Sequence, residues 1–333
     1  MPDRNARRTS GSHRGPTRPG RSTTRTPWPT GPVTIPTGTV ELVRDPDDPD
    51  GVTVLVNGVP SSYLDTADPT RLVFEYMQQM AAVIERVGPP GSPLSVVHLG
   101  AGGCALARAV DAERPGSQQV AVELDTALPE LVRGWFDLPR APALRIRAGD
   151  AREQLARLAD GSADVVVRDV FSGDTTPPHV RTRAVVADVA RVLRPGGVYL
   201  VNCADRPPLA GARSEAATLA DVFDDVAVVA EPGLLRGRGY GNVVLAATDD
   251  PQLLGSPALA RTVRSLPAPA RLLHGDDVAA FIGGAGVLQD PDDDPHPGHA
   301  GAPGTEPGTR TAPVPVRGLV PDGAPDDAQG RTS

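Results

Sequence analysis

Residues Val96–Asp125, VVHLGAGGCALARAVDAERPGSQQVAVELD, constrain the fold more than any other stretch of this chain. An apolar run meets a glycine-rich turn, then a helix-forming segment, then a second apolar run that ends in acid. Gly100, Gly102 and Ala105 fit the pattern G-x-G-x-x-[GA]. Glycine permits a tight strand-to-helix turn, and the missing Cβ atoms let a ligand approach the backbone. Glu123 stands 23 positions after Gly100, where an acid can grip ribose hydroxyls.

The same alternation continues. ALRIRAGD and AREQLARLA read as a third strand and helix, ADVVVRDVF as a fourth strand, and RTRAVVADVARVLRPGG as a helix with a Pro-Gly-Gly stop. VYLVNCA reads as a fifth strand and SEAATLADVF as a helix. DVAVVAE and GNVVLAATD then read as two strands joined by PGLLRGRGY. Repeated βα units imply a parallel sheet with helices on both faces, and ligands in such sheets sit outside the carboxyl ends of the strands. The closing hairpin is similar to the reversed last strand of class I S-adenosylmethionine (AdoMet)-dependent methyltransferase folds.

Upstream, TVELVRD, GVTVLVNGV and SSYLD form a small antiparallel β unit with turn chemistry at PDDPDG and at Asn57-Gly58. A helix is expected from about Thr70 to Val87. The organisation read from the chain is a disordered Arg/Pro-rich tail over 1–32, the β unit over 33–68, an AdoMet-type Rossmann-like domain over 69–288, and a disordered Pro/Gly/Asp-rich tail over 289–333.

Composition excludes several chemistries. All 33 basic residues are arginine, which removes Schiff-base lysine and the P-loop lysine. The formal charge of −8 argues against non-specific nucleic-acid binding. Two cysteines, Cys104 and Cys203, make neither a disulfide framework nor a Cys-x-x-Cys metal site, so no metal is expected. No apolar run approaches the roughly 20 residues that span a bilayer, and no apolar region follows the early arginines as in a signal peptide. The expectation is a cytoplasmic protein without membrane or nucleic-acid partners.

The turn with its acid fits NAD as well as an adenosyl sulfonium. The later strand ends favour the second. Asp150 closes the third strand, where it can accept from an adenine amino group, with Ala151 beside it. Asp169 closes the fourth and faces the same crevice. Asp150 also reads as a helix N-cap, with Glu153 three residues on. The cysteines read as buried small hydrophobes, and His98 as a packed strand residue.

Over about residues 38–250 the chain resembles the spermidine synthase family of aminopropyltransferases. The resemblance rests on the β unit, NGVPSSYLDTADPTRLVFEYM, HLGAGGCALAR, VELD, AGDARE and RDVFSGDTTP. It implies decarboxylated AdoMet or AdoMet as co-substrate, an amine acceptor and a homodimer. It puts Asp169 in the role of base, Tyr76 and Tyr63 in contact with substrate, and Asp174 as a second acid. Gly100, Gly102, Glu123, Asp150 and Ala151 would hold the nucleoside. The chain departs from the family pattern at Gly103, where an aspartate is usual, at Met77 and at Ser61. Three functions follow: aminopropyl transfer to an amine, methyl transfer from intact AdoMet, or non-catalytic nucleoside binding.

Overall fold

A computed structural model of the chain describes residues 27–173 and 175–291. Four strands come first: β1 (Val33–Ile35), β2 (Gly38–Arg44), β3 (Gly51–Val56) and β4 (Val59–Asp65). They pair antiparallel in chain order. The β3–β4 turn is Asn57-Gly58, with φ of +53° and +77°, a conformation that favours these two residue types. The Asn57 side chain also accepts the Thr39 amide at 2.9 Å, which ties the turn to β2.

α1 (Glu75–Ile84) is shorter than the periodicity predicts. Asp68 takes the Thr70 amide and hydroxyl into a local turn, and Phe74 is extended, so the helix starts later. At its far end the buried Arg114 guanidinium donates to the carbonyls of Ile84, Glu85, Val87, Pro89 and Ser92. One side chain thus satisfies five backbone acceptors where the helix stops.

The alternating segment follows as β5 (Ser95–Leu99), α2 (Ala105–Glu113), β6 (Gln118–Glu123), α3 (Leu128–Trp135), β7 (Leu144–Ala148), α4 (Ala151–Ala156) and β8 (Ala163–Arg168). Next come α5 (Arg183–Val192), β9 (Leu193–Asp205), α6 (Ala210–Ala220), β10 (Asp225–Ala230), α7 (Pro232–Leu235) and β11 (Gly241–Thr248). The expected Pro-Gly-Gly helix stop lies inside β9 instead, because pairing with β8 already begins at Leu193. α8 (Pro257–Arg264), β12 (Arg271–His274) and α9 (Asp276–Ile282) were not anticipated.

The large sheet has the order β12-β10-β11-β9-β8-β5-β6-β7. β5 through β9 are parallel, and β11 is inserted antiparallel between β9 and β10. β12 adds a second reversed strand at the edge. The central strands are apolar on both faces, as a doubly covered sheet requires. One core joins α1, α2, α3, α8 and the small sheet, and a second joins α4, α5, α6 and α9. Among the described residues no helix is long and apolar enough to cross a membrane.

Both expected tails begin outside the boundaries read from composition. Trp28 donates its indole N–H to the Trp135 carbonyl at 3.0 Å and meets Phe136 edge to face. Leu288 bonds to Thr218 and to Arg183, and Asp290 forms a bidentate pair with Arg152. Residues 1–26 and 292–333 of these expected tails lie outside the described residues.

Gly100, at the exit of β5, lies against neighbouring backbone at close range. Its φ is +93°, and a Cβ there would stand 2.1 Å from the Asp169 carbonyl oxygen. Gly100→Ala forces the two strands apart, with an expected loss of at least about 2 kcal/mol. For a domain of this size that is a fall in Tm of about 4–8 °C, read by thermal unfolding.

Candidate functional site

The glycine turn, the ends of β6, β7 and β8, and the start of α1 converge on one rim. Gly100 donates to the Val122 carbonyl at 3.0 Å, and the Asp169 amide donates to the Leu99 carbonyl at 2.8 Å. The Glu123 carboxylate accepts the turn amides of Gly102 at 3.1 Å and Ala101 at 3.3 Å. Burial pushes its carboxyl above the ordinary range, and the amides of Asp125, Gly102 and Ala101 pull it back only in part. Glu123 and the turn thus form one unit, an acid facing amides that a ligand's polar groups can share.

Asp150 caps α4. Its Oδ1 accepts the Arg152 amide at 2.9 Å and the Glu153 amide at 3.1 Å. Its Oδ2 meets His179 Nε2 at 2.9 Å. Burial would raise this carboxyl, but His179 and the two amides outweigh burial and hold it below the usual range. Ala151 is buried behind it. His179, which follows TTPP in the sequence near the expected crevice, therefore sits beside Asp150.

Asp169 is the enclosed acid. Tyr76 donates its hydroxyl to Oδ2 at 2.8 Å, and Asn202 donates its amide Nδ2 to Oδ1 at 3.0 Å. Burial raises its carboxyl, and the bonds from Asn202 and Tyr76, with the nearby Arg168 charge, offset that only in part. Burial and the same carboxylate push the Tyr76 hydroxyl well up, so it remains a donor. One residue back, Arg168 points to the opposite face. It is fully buried and ion-paired with Glu215 of α6, whose other oxygen lies 2.8 Å from Arg181 Nε. Beside Tyr76, Glu75 accepts from Asn242 Nδ2 at 2.8 Å.

The small sheet closes over the turn. Ser62 Oγ accepts the Gly103 amide at 2.9 Å. A Cβ at Gly103 would lie 2.7 Å from Leu64 Cδ1 and 2.9 Å from Ser62 Cβ. Between this sheet, α1 and the turn is a cavity of about 50 Å³, lined in part by Ser61, Met77, His98, Gly102 and Asp169. It is far smaller than the roughly 300–1,000 Å³ of small-molecule pockets. Glu123 and Asp150 stand beside it at the strand ends, each partly exposed.

The structure brings together Gly100, Gly102, Glu123, Asp150, Ala151, Tyr76 and Asp169. Tyr63 is not brought to the turn. Strand alternation puts Ser62 and Leu64 on that side, and sends the Tyr63 hydroxyl to Asp45 Oδ2 at 2.9 Å. Asp174 lies outside the described residues. His98 is buried against Gln119 Oε1 at 2.9 Å, and burial pushes it down to about 4. Burial pushes the Cys104 thiol up to about 12 and that of Cys203 well up, so neither is a thiolate near neutral pH. Sequence reading missed Glu75, Asn202 and Asn242. The available signal was a lone amide in each of the apolar strands VYLVN and GNVVLAAT.

A methyltransferase-domain family matches residues 97–201. The human eEF1A lysine and N-terminal methyltransferase is 28% identical over 64% of this chain and 32% of its own length. The polyamine aminopropyltransferase of Chromobacterium violaceum is 28% identical over 42% of this chain and 53% of its own length. The chain spans about half or less of the length of these curated relatives. A solved probable spermidine synthase from Corynebacterium glutamicum is 36% identical, superposes with a TM-score of 0.75, and is covered over its whole length by 84% of this chain. The chain belongs to the spermidine synthase family. Within this spermidine synthase relative, the large sheet is the class I AdoMet-dependent methyltransferase-like fold, and the antiparallel β unit precedes it. The chain thereby shares its fold with AdoMet-related transferases.

Two outcomes test the site's packing and electrostatics. Gly103→Asp cannot enter without displacing Leu64 and Ser62, so it lowers Tm by roughly 2–6 °C, and Leu64→Ala in the same chain restores part of the loss. Asp169→Asn acts in the opposite sense. A carboxyl raised on folding favours the folded state when protonated and opposes it when ionised, so its unfavourable contribution grows as pH rises through the raised value. The asparagine variant therefore unfolds at a higher temperature than the parent near pH 8. The gap closes as pH falls toward the ordinary carboxylate range, in a series of thermal melts.

Proposed function

We propose that this protein binds an adenosyl sulfonium at the open rim and transfers its aminopropyl group to an amine. One observation carries the reading. Asp169 is an enclosed carboxylate with a raised proton affinity, fixed by Tyr76 and Asn202, at the strand end that touches the glycine turn.

The turn amides and Glu123 suit a ribose, and Asp150 suits an adenine amino group. His179 and the α4 amides hold Asp150 ionised and oriented for that role. The sulfonium is already a good leaving group. What remains for the protein is alignment and removal of a proton from the acceptor. An acceptor ammonium gives one proton to the Asp169 carboxylate. The freed nitrogen lone pair attacks the methylene beside sulfur, the C–S bond breaks with its electron pair moving to sulfur, and a neutral thioether departs. A base whose proton affinity lies nearer neutrality than a surface carboxylate's is better matched to this step. Tyr76, kept protonated, holds the carboxylate in place.

Methyl transfer from intact AdoMet is the second reading. The packing of Ser62 and Leu64 against Gly103 favours it, because that contact leaves no room at this position for an acid to grip an aminopropyl ammonium. Calorimetric titration with decarboxylated AdoMet, AdoMet and methylthioadenosine separates the two. The proposal expects binding of the decarboxylated form and the thioether over intact AdoMet. Preference for AdoMet selects methyl transfer, and silence with all three ends both. In a transfer assay Asp169→Asn lowers kcat/KM by about 10²–10⁴-fold while nucleoside binding holds.

A further inference from the structure

Asn202 is 2% exposed and donates Nδ2 to Asp169 Oδ1, yet its own carbonyl oxygen, Oδ1, is buried without a hydrogen-bond partner. Buried side-chain acceptors are nearly always satisfied, so a bare one beside a functional carboxylate needs a physical account. Rotating the amide does not help. It would bring Asn202 Oδ1 against Asp169 Oδ1, two acceptors facing each other, so the carboxylate locks the amide in the orientation that leaves the oxygen bare.

Strand geometry says which way this amide looks. On β9 the alternation puts Val198, Leu200 and Asn202 on the α1 face, and Tyr199, Val201 and Cys203 on the other. Val165, Val167 and Asp169 follow the same face at the neighbouring strand. Asn202 therefore shares the face that carries Tyr76, Glu75 and Asp169, away from the Arg168–Glu215 pair.

We propose that Asn202 is a substrate-binding residue, its bare Oδ1 accepting an N–H of the acceptor nitrogen while Asp169 takes the proton that leaves. This rests on the reading of Asp169 as the acceptor's base. A primary ammonium has three N–H groups. One proton passes to Asp169, one N–H stays bonded to Asn202 Oδ1, and the nitrogen lone pair created by the loss is held in a fixed direction toward the sulfonium methylene. The amide acts at both ends, positioning the base through Nδ2 and the nucleophile through Oδ1. A side chain that only accepts, such as an ionised aspartate, would supply half. The charged and titratable groups near Asp169 are Tyr76, which donates to it, Glu75 beside Tyr76 on α1, and the adjacent Arg168, which points to the other face and pairs with Glu215 of α6.

The test uses the full chain with putrescine as acceptor probe and methylthioadenosine as nucleoside probe. Asn202→Leu keeps the branched shape at a larger volume and removes both bonds. The expected result is a KM for putrescine raised about tenfold or more, with methylthioadenosine affinity unchanged. The acid limb of the kcat/KM profile moves to higher pH, because Asp169 loses a donor that lowers its proton affinity. A carbon-13 titration of the Asp169 carboxyl, assigned with Asp169→Asn, shows the same upward move without turnover. Asn202→Ser carries the comparison if the leucine variant does not fold. An unchanged KM and acid limb in the Asn202 variants, with Asp169→Asn inactive, overturns this proposal and leaves the parent reading standing. Full transfer by Asp169→Asn overturns the parent reading itself.

Discussion

The contact between the Gly100 α-carbon and the Asp169 carbonyl is the constraint on which the rest of the site depends. Two parallel strands end side by side, and their exits cross at a separation that no side chain tolerates. The bonds Asp169 N to Leu99 O and Gly100 N to Val122 O pin that crossing from both sides. Turn and carboxylate therefore hold one fixed relation, set by backbone alone. Preorganisation of this kind survives movement of surface loops, because it belongs to the interior of a doubly covered sheet.

The departures from the family pattern meet in space. Ser61 and Met77 line the same small cavity, and Gly103 borders the same part of the turn and packs against Ser62. Gly103 stands where the family that the chain resembles usually has an aspartate. Together these three residues allow β4 to lie directly on the turn, its serine hydroxyl replacing a side-chain partner for the Gly103 amide. Glu123 and Asp150 do not line that cavity, and each keeps its own backbone hydrogen bonds.

Most of the fold was legible because its signals are local. The apolar runs, the glycine turn and the strand-end acids mark themselves within ten residues of sequence, and Asp150 even announces its capping role. Other features depend on partners far along the chain. Trp28 and Asp290 sit in segments with the composition of disordered tails, and only docking on Trp135 and Arg152 orders them. β12 is four residues long and follows a proline-rich stretch, too short for a period to emerge. Tyr63 failed as a site residue for a local reason, since the register that delivers Ser62 to the turn must turn Tyr63 away. Asn202 read as one polar residue in a buried strand. Its meaning appears only when β8 lies alongside β9.

That pairing also explains how one strand end carries a buried cation and a buried acid in succession. Arg168 and Asp169 are adjacent, so the pleat sends them to opposite faces. Were they on one face, they would pair, and the acid would titrate low. Instead Glu215 takes the guanidinium below the sheet, and Arg181, from the segment that returns from the rim, joins the same carboxylate. The guanidinium is thereby held on the far side of the sheet, and its charge lowers the Asp169 carboxyl only in part. Asp169 is left with neutral donors, a phenol and an amide, which fix its position without the charge that would hold it ionised. Burial then decides the direction of its titration. The raised proton affinity of the candidate base follows from the alternation of two residues on β8 and from the acid on α6 that occupies the first of them.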